Sequence, residues 1–213
     1  MRNLEPRRIK PRLLEYISSL EKKMCAIDAN RRELLEQAAR FIREKKHAGE
    51  IARLTFICTY NSRRSHFAQA WGQAAAYCFG VKGVECYSGG MKAATANPRA
   101  ISALQRAGFK VEMAMKGPNP QYRLIFAEGE MPVIAFSKVY DAPVNPSEDF
   151  VAIMTCTQAD EECPFIPGAA LRVALPYEDP KSSDDSPAEA ATYDERCRQI
   201  ATEMFYIFRA VEL

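Results

Sequence analysis

The sequence predicts an α/β sandwich built on a mainly parallel sheet. Three observations carry that reading. From residue 52 onward, strand-like and helix-like segments alternate. The run FVAIMT at 150–155 is apolar almost throughout, as in a parallel strand covered on both faces. The stretch 54–71 passes from strand formers through a polar loop into a helix. In parallel sheets that order places a loop beyond the carboxyl end of a strand, where ligands bind.

The elements follow in order. Leu13, Leu14, Ile17, Leu20 and Met24 recur at helical spacing, and so do Leu34, Leu35, Ala38, Phe41 and Ile42. Two helices are therefore expected over 11–47, the second opened by Asn30 with Glu33 in a capping-box arrangement. LTFI at 54–57 reads as a strand and 66–79 as a helix. VECYS at 84–88 reads as a second strand, closed by Gly89 and Gly90. Asn97-Pro98 opens a helix that ends at Gly108. Residues 122–136 read as two strands around a Glu-Gly turn, an inserted hairpin. LRVA at 171–174 is a short strand, 178–187 a polar loop, and a last helix runs from Pro187 to the end. The 213 residues suit one domain plus a small appendage: a helical extension over 1–50 and a main domain over 51–213.

Composition narrows the function. Hydrophobic residues make up 47% and charged residues 26%, which excludes disorder throughout. The net charge is only +2, although residues 1–50 carry 13 basic against 8 acidic side chains. Acidic residues interleave with the basic ones there, so a nucleic-acid partner is not expected. A packed helical hairpin is the plain reading of 11–47, and a surface for a homodimer is the sharper one. No apolar run approaches the length of a membrane helix, and no signal peptide opens the chain. The expectation is a cytoplasmic protein with no membrane partner. Seven cysteines in a reducing compartment are packing, metal-binding or catalytic groups.

The most informative stretch is Cys58-Thr59-Tyr60-Asn61-Ser62-Arg63-Arg64-Ser65. Backbone N–H groups of such a loop can converge on an oxyanion, and the following helix adds its dipole. A cysteine at the loop entrance with Arg64 nearby is expected to react as a thiolate. Arg64 can hold two oxyanion oxygens at once, and the Ser65 hydroxyl can hydrogen-bond the sulfur. The plain alternative is a buried cysteine before an ordinary loop. Arg63, within the oxyanion-binding loop 59–63, is expected in solvent, or else to add positive charge that favours a larger anion. Tyr60 is placed to narrow the mouth of the loop or to stack on a substrate.

LTFICTYNSRRSHFAQAW resembles the signature of the low-molecular-weight protein tyrosine phosphatases and their relatives, the thioredoxin-coupled arsenate reductases. The resemblance continues through YSGG (87–90), NPRAISALQRAGF (97–109), FSK (136–138), MTCTQADEECP (154–164) and YEDP (177–180). It covers roughly 52–213. It implies a three-layer sandwich around a four-stranded parallel sheet, to which the helical extension and the hairpin are additions. Two features resemble the reductase branch. Cys156 and Cys163 stand at C-x6-C spacing, like that branch's redox pair. Asp179-Pro180, the general-acid position, is followed by Lys181-Ser182-Ser183 instead of tyrosines.

The resemblance implies arsenate held by residues 58–65 and attacked by Cys58, with Asp179 protonating the departing hydroxide. Cys156 then forms a disulfide with Cys58, Cys163 takes it over, and thioredoxin reduces the Cys156–Cys163 pair. No bound cofactor is implied. The alternative is a phosphatase acting on a phosphate ester through a phosphocysteine. On local sequence alone, Cys156 and Cys163 also fit two core residues, and Asp179 a turn or cap residue. A zinc site fits poorly, because neither His47 nor His66 lies beside the pair. Cys25, Cys78, Cys86 and Cys197 are expected to pack against apolar neighbours.

Overall fold

The computed structural model describes residues 8–212; residues 1–7 of the predicted extension, and Leu213, lie outside the described residues. The extension forms three helices, not two: α1 (Pro11–Ser18), the single turn α2 (Glu21–Met24) and α3 (Ala29–Ala48). The cap of α3 is Asp28, not Asn30. Asp28 is extended and its carboxylate accepts from the Arg31 N–H at 2.8 Å, while Asn30 already lies inside the first turn. Gly49 in left-handed conformation closes the helix.

Beyond it the alternation is as expected. The strands and helices are β1 (Ala52–Cys58), α4 (Arg64–Cys78), β2 (Val84–Gly90) and α5 (Pro98–Ala107). Then come β3 (Lys110–Met115), β4 (Gln121–Ile125), β5 (Val133–Ala135), β6 (Phe150–Met154), α6 (Thr157–Glu162), β7 (Ala169–Ala174) and α7 (Glu189–Val211). The order in the main sheet is β2-β1-β6-β7, with every pairing parallel. This is the predicted four-stranded sheet, with β1 at its centre.

The strands alternate between two apolar layers. Leu54, Phe56, Val151, Ile153 and Val173 join the larger layer, with side chains of α3, α4, α5 and α7. Ile57, Phe150, Ala152 and Met154 face the smaller one, with Ala159 of α6, Ile166 and Tyr140. The period-two alternation is what lets one strand line both layers. The extension belongs to the larger layer: Leu13, Ile17, Leu20, Leu35 and Ile42 are buried in the same cluster as Trp71 and Phe208. Tyr16 stacks on Trp71 at 5.3 Å between ring centroids. Gly108 is needed here twice over: its φ is +113°, and a Cβ would meet the Leu13 backbone at 2.5 Å.

The inserted hairpin is a three-stranded antiparallel sheet, β3-β4-β5. β4 and β5 flank the expected turn at Gly129, whose φ is +78°. β3 escapes sequence reading because KVEMAM buries no side chain. It is an edge strand fixed by pairing with β4; of its apolar face, Val111 is half-buried against the core while Met113 and Met115 stay exposed. No helix among the described residues is long and apolar enough to cross a membrane.

His66 makes acid stability testable. It is fully buried in the first turn of α4, and its Nε2 lies 3.2 Å from the Phe136 carbonyl. Burial, with the nearby Lys138 charge, lowers its pKa to about 3. Below pH 6.5 the unfolded chain takes up a proton that the folded one refuses, so stability falls as pH drops from 6.5 towards 3. Urea unfolding at pH 7 and pH 4.5 should show a loss of about 2–3 kcal/mol from this residue. His66→Gln should remove most of that difference.

Candidate active site

Cys58 ends β1 at the carboxyl edge of the central strand, and its side chain is buried. The loop 59–63 then turns into α4. Four carbonyls of residues 58–62 are taken up from outside. Those of Cys58, Thr59 and Ser62 accept from the N–H groups of Met91, Lys92 and Asn97 at 2.9–3.1 Å. The Tyr60 carbonyl accepts from the Ser137 hydroxyl at 2.8 Å. The backbone N–H groups of residues 59–63 have no partner among the described residues. A loop so arranged keeps its N–H groups free while most of its carbonyls are engaged.

Asn61 holds the turn in left-handed conformation, with φ +43°. Its Nδ2 donates to the Ser65 hydroxyl at 2.9 Å, and its Oδ1 accepts from the Lys138 N–H at 3.0 Å. Ser65 Oγ in turn lies 3.1 Å from Cys58 Sγ. Thus Asn61 orients Ser65, and Ser65 touches the sulfur. Gly90 supports the loop from β2: a Cβ there would meet Asn61 N at 2.6 Å and the Tyr60 carbonyl carbon at 2.8 Å.

Arg64 starts α4 and returns over the loop. It donates to the Tyr177 carbonyl at 2.9 Å and to Asp179 Oδ2 at 2.7 Å, while its buried Nε has no partner. Asp179 Oδ1 also accepts from Lys181 N–H at 3.1 Å, capping a 3-10 turn over Pro180–Ser183. So Asp179 is both a cap and a neighbour of Arg64. The expectation that Arg63 lies in solvent is corrected. Its side chain is only 13% exposed, donates to Tyr193 Oη at 3.0 Å, and stands 3.7 Å from Asp179 Oδ1. The Tyr193 hydroxyl donates to Asp184, and burial with that bond raises its pKa to about 12, so it stays a donor. Two arginines therefore face one carboxylate. Tyr60 is exposed, with its ring outside the core.

Cys156 follows β6, the strand beside β1. It is buried, with Sγ 3.4 Å from Thr59 Oγ1. It stands at the start of α6, and the half-buried Cys163 stands at the end. Cys58, Cys156 and Cys163 share one apolar cluster on the thin side of the sheet. Arg172 of β7 fastens α6, donating to the Asp160 and Cys163 carbonyls at 2.7 and 3.2 Å. Cys78, Cys86 and Cys197 are packing residues whose thiols burial pushes up, Cys78 and Cys197 to about 12. Cys25 differs from expectation: it is exposed, because α2 is too short to turn it inward. No cluster of three or more His, Cys, Asp or Glu side chains suited to a metal occurs among the described residues.

Sequence reasoning missed three supports. Arg172 is one. Lys138 is another: it is 7% exposed, with Nζ 3.4 Å from Ser88 Oγ and 4.5 Å from the Phe136 ring centroid. Burial lowers its pKa to about 8. The third is Tyr177, whose carbonyl holds Arg64. Lys138 and Tyr177 stand in the FSK and YEDP stretches that carry the resemblance, but those motifs do not state their roles, which are set by what folds against them.

Residues 53–122 match the family model for low-molecular-weight phosphotyrosine protein phosphatases. An arsenate reductase of Staphylococcus epidermidis is 30% identical over 127 residues, 59% of this chain and 76% of that protein. One from Bacillus cereus is 30% identical over 129 residues, 61% and 77% respectively. The chain belongs to the low-molecular-weight phosphatase superfamily, in its arsenate reductase branch. A solved low-molecular-weight protein tyrosine phosphatase from T. tengcongensis superposes with TM-score 0.49 at 16% identity, covering 74% of this chain and 98% of that one. Members of this superfamily are enzymes, and this chain is an enzyme of the arsenate reductase or phosphatase kind.

The loop geometry predicts a sharp effect at Gly90. Gly90→Ala must displace loop backbone, which costs about 1–3 kcal/mol of stability. Inorganic phosphate, titrated calorimetrically, should bind at least tenfold more weakly to this variant than to the wild type.

Proposed function

We propose that the protein reduces arsenate to arsenite with three cysteines and is regenerated by thioredoxin. One observation carries the choice: Cys156 lies in the same apolar cluster as Cys58 and Cys163 packs against it, both on the segment that follows β6, the strand paired with β1. A phosphatase needs one cysteine at this edge, whereas a reductase needs a route for two electrons.

Arsenate enters the 58–65 loop, bound by the free N–H groups of residues 59–63 and by Arg64. The Arg64–Asp179 ion pair of the free enzyme opens as the guanidinium turns to the oxyanion. Cys58 attacks arsenic as a thiolate, with Ser65 donating to the sulfur. Released from Arg64, the Asp179 carboxylate takes a proton from solvent and passes it to the departing hydroxide, which leaves as water. The Cys156 thiolate then attacks Cys58 Sγ, the sulfur–arsenic bond breaks, and its electron pair stays on arsenic. Arsenic passes from the pentavalent to the trivalent state as two thiols become a Cys58–Cys156 disulfide. Cys163 attacks Cys156 and frees Cys58. Thioredoxin reduces the resulting Cys156–Cys163 bond by thiol–disulfide exchange. The half-buried Cys163, with Phe165 exposed two residues on, supports a protein partner at that point.

The last transfer has a geometric requirement. A seven-residue step along a helix spans about 10.5 Å, against the 7 Å or less between Cα atoms that a disulfide allows. α6 must unwind when the pair oxidises, and the Arg172 bonds to Asp160 and Cys163 must open with it. Amide exchange over 157–163 should be slow in the reduced protein and at least tenfold faster in the oxidised one. An oxidised protein with the same protection would remove this step from the scheme.

Arsenate-dependent NADPH oxidation, coupled through thioredoxin and thioredoxin reductase, tests the whole reading. The wild type should turn over and Cys156→Ser should not. If neither turns over and both hydrolyse an aryl phosphate, the loop serves a phosphatase.

A further inference from the structure

Residues 8–48 lie outside the 53–122 family match, yet one of them reaches the active site through two buried side chains. Arg31, in the first turn of α3, sends Nε and Nη2 to the Glu203 carboxylate of α7 at 3.0 and 2.8 Å. Glu203 Oε2 also accepts from the Tyr177 hydroxyl at 2.7 Å. The Arg31 guanidinium lies over the Tyr177 ring, 4.8 Å from its centroid. Arg31 is 15% exposed in its side chain and Glu203 5%. Tyr177 is therefore gripped twice by one arginine, through its face and, by way of Glu203, through its hydroxyl.

The backbone of Tyr177 is what the active site uses. Its carbonyl accepts from Arg64 Nη1 at 2.9 Å. Its N–H donates to the Thr155 carbonyl at 3.2 Å, in the peptide that leads into Cys156. Asp179 follows two residues later. One residue thus sets the oxyanion-binding arginine, the approach to Cys156 and the start of the Asp179 turn. We propose that Arg31, supplied by the N-terminal helices, is a positioning residue for the oxyanion site: it clamps Tyr177, and Tyr177 aims Arg64.

The chemistry favours this over plain structural support. A buried carboxylate stripped of its cation is costly and shifts to find another partner, here the Tyr177 hydroxyl and the chain attached to it. The ring also loses the guanidinium that covers it. Burial and the Glu203 carboxylate hold the Tyr177 hydroxyl far above its ordinary pKa, so it remains a donor and transmits the displacement. Lys at position 31 keeps the charge but gives Glu203 a point donor in place of a fork, and covers the ring poorly.

The inference rests on the oxyanion reading of the 58–65 loop, not on the choice between reductase and phosphatase, so inorganic phosphate is the probe. Phosphate affinity is measured by calorimetry for full-length wild type, Arg31→Met, Arg31→Lys and Arg43→Met. Arg43 lies on the same helix, donates to the Ala210 carbonyl at 2.7 Å, and has no bond to Tyr177 or Glu203. Arg31→Met should weaken phosphate about tenfold and Arg31→Lys about threefold. Arg43→Met should lower the melting temperature while leaving phosphate affinity within twofold. In turnover assays Arg31→Met should act mainly on KM. If Arg31→Met does not fold, Arg31→Lys decides. Affinity within 1.5-fold of wild type in the folded Arg31 variants, or an equal loss in Arg43→Met, overturns the assignment. A wild type that does not bind phosphate overturns the loop reading first and the inference with it.

Discussion

Everything at this site depends on where the carbonyls of the 58–63 loop go. Each residue of such a loop carries as many backbone acceptors as donors, and an anion is bound well only where the acceptors are turned away and satisfied. Here Met91, Lys92, Asn97 and Ser137 take those of Cys58, Thr59, Ser62 and Tyr60, from the segments after β2 and β5. Gly90 lets the two backbones approach, and Asn61 supplies the one left-handed residue the turn requires. The antiparallel sheet between α5 and β6 is tied to this constraint. It delivers residues 137–140 beside β2, where Gly90 N–H donates to the Lys138 carbonyl and Tyr140 N–H to the Gly90 carbonyl.

Placement along the sheet does the rest. Cys58, Cys156 and the 175–179 segment all follow carboxyl ends of adjacent parallel strands, β1, β6 and β7. Parallel pairing brings groups far apart in sequence to one edge without further design. Arg64 then draws Asp179 and Tyr177 towards the loop through two bonds of one guanidinium. In the free protein the Arg64 cation is neutralised by the Asp179 carboxylate, so an arriving anion replaces a partner and does not meet a bare charge.

Much of this was legible in the sequence where a local rule dominates. The parallel strands declared themselves through apolar runs, α5 through Asn97-Pro98 and Gly108, and the loop through its strand–loop–helix context. The failures have physical causes. Asn30 lost the cap of α3 to Asp28, because either side chain satisfies the rule and only the backbone path chooses. β3 is held chiefly by its partner: its alternating Val111, Met113 and Met115 leave both methionines exposed. Arg63 looked like a solvated charge because nothing local says that Tyr193 and Asp184, some 120–130 residues away, close over it. Arg31 and Lys138 were unreadable for the same reason: each owes its place to burial against remote chain.

The central claim is that electrons pass from Cys58 and Cys156 to arsenic. The most direct measurement uses Cys163→Ser, which stops the sequence after its first disulfide. One equivalent of arsenate is added to the reduced variant, and the products are mapped by peptide mass spectrometry alongside arsenite analysis. The account predicts one arsenite per enzyme and a Cys58–Cys156 linked peptide. Free thiols at both positions with no arsenite, from protein that still binds phosphate, would contradict it.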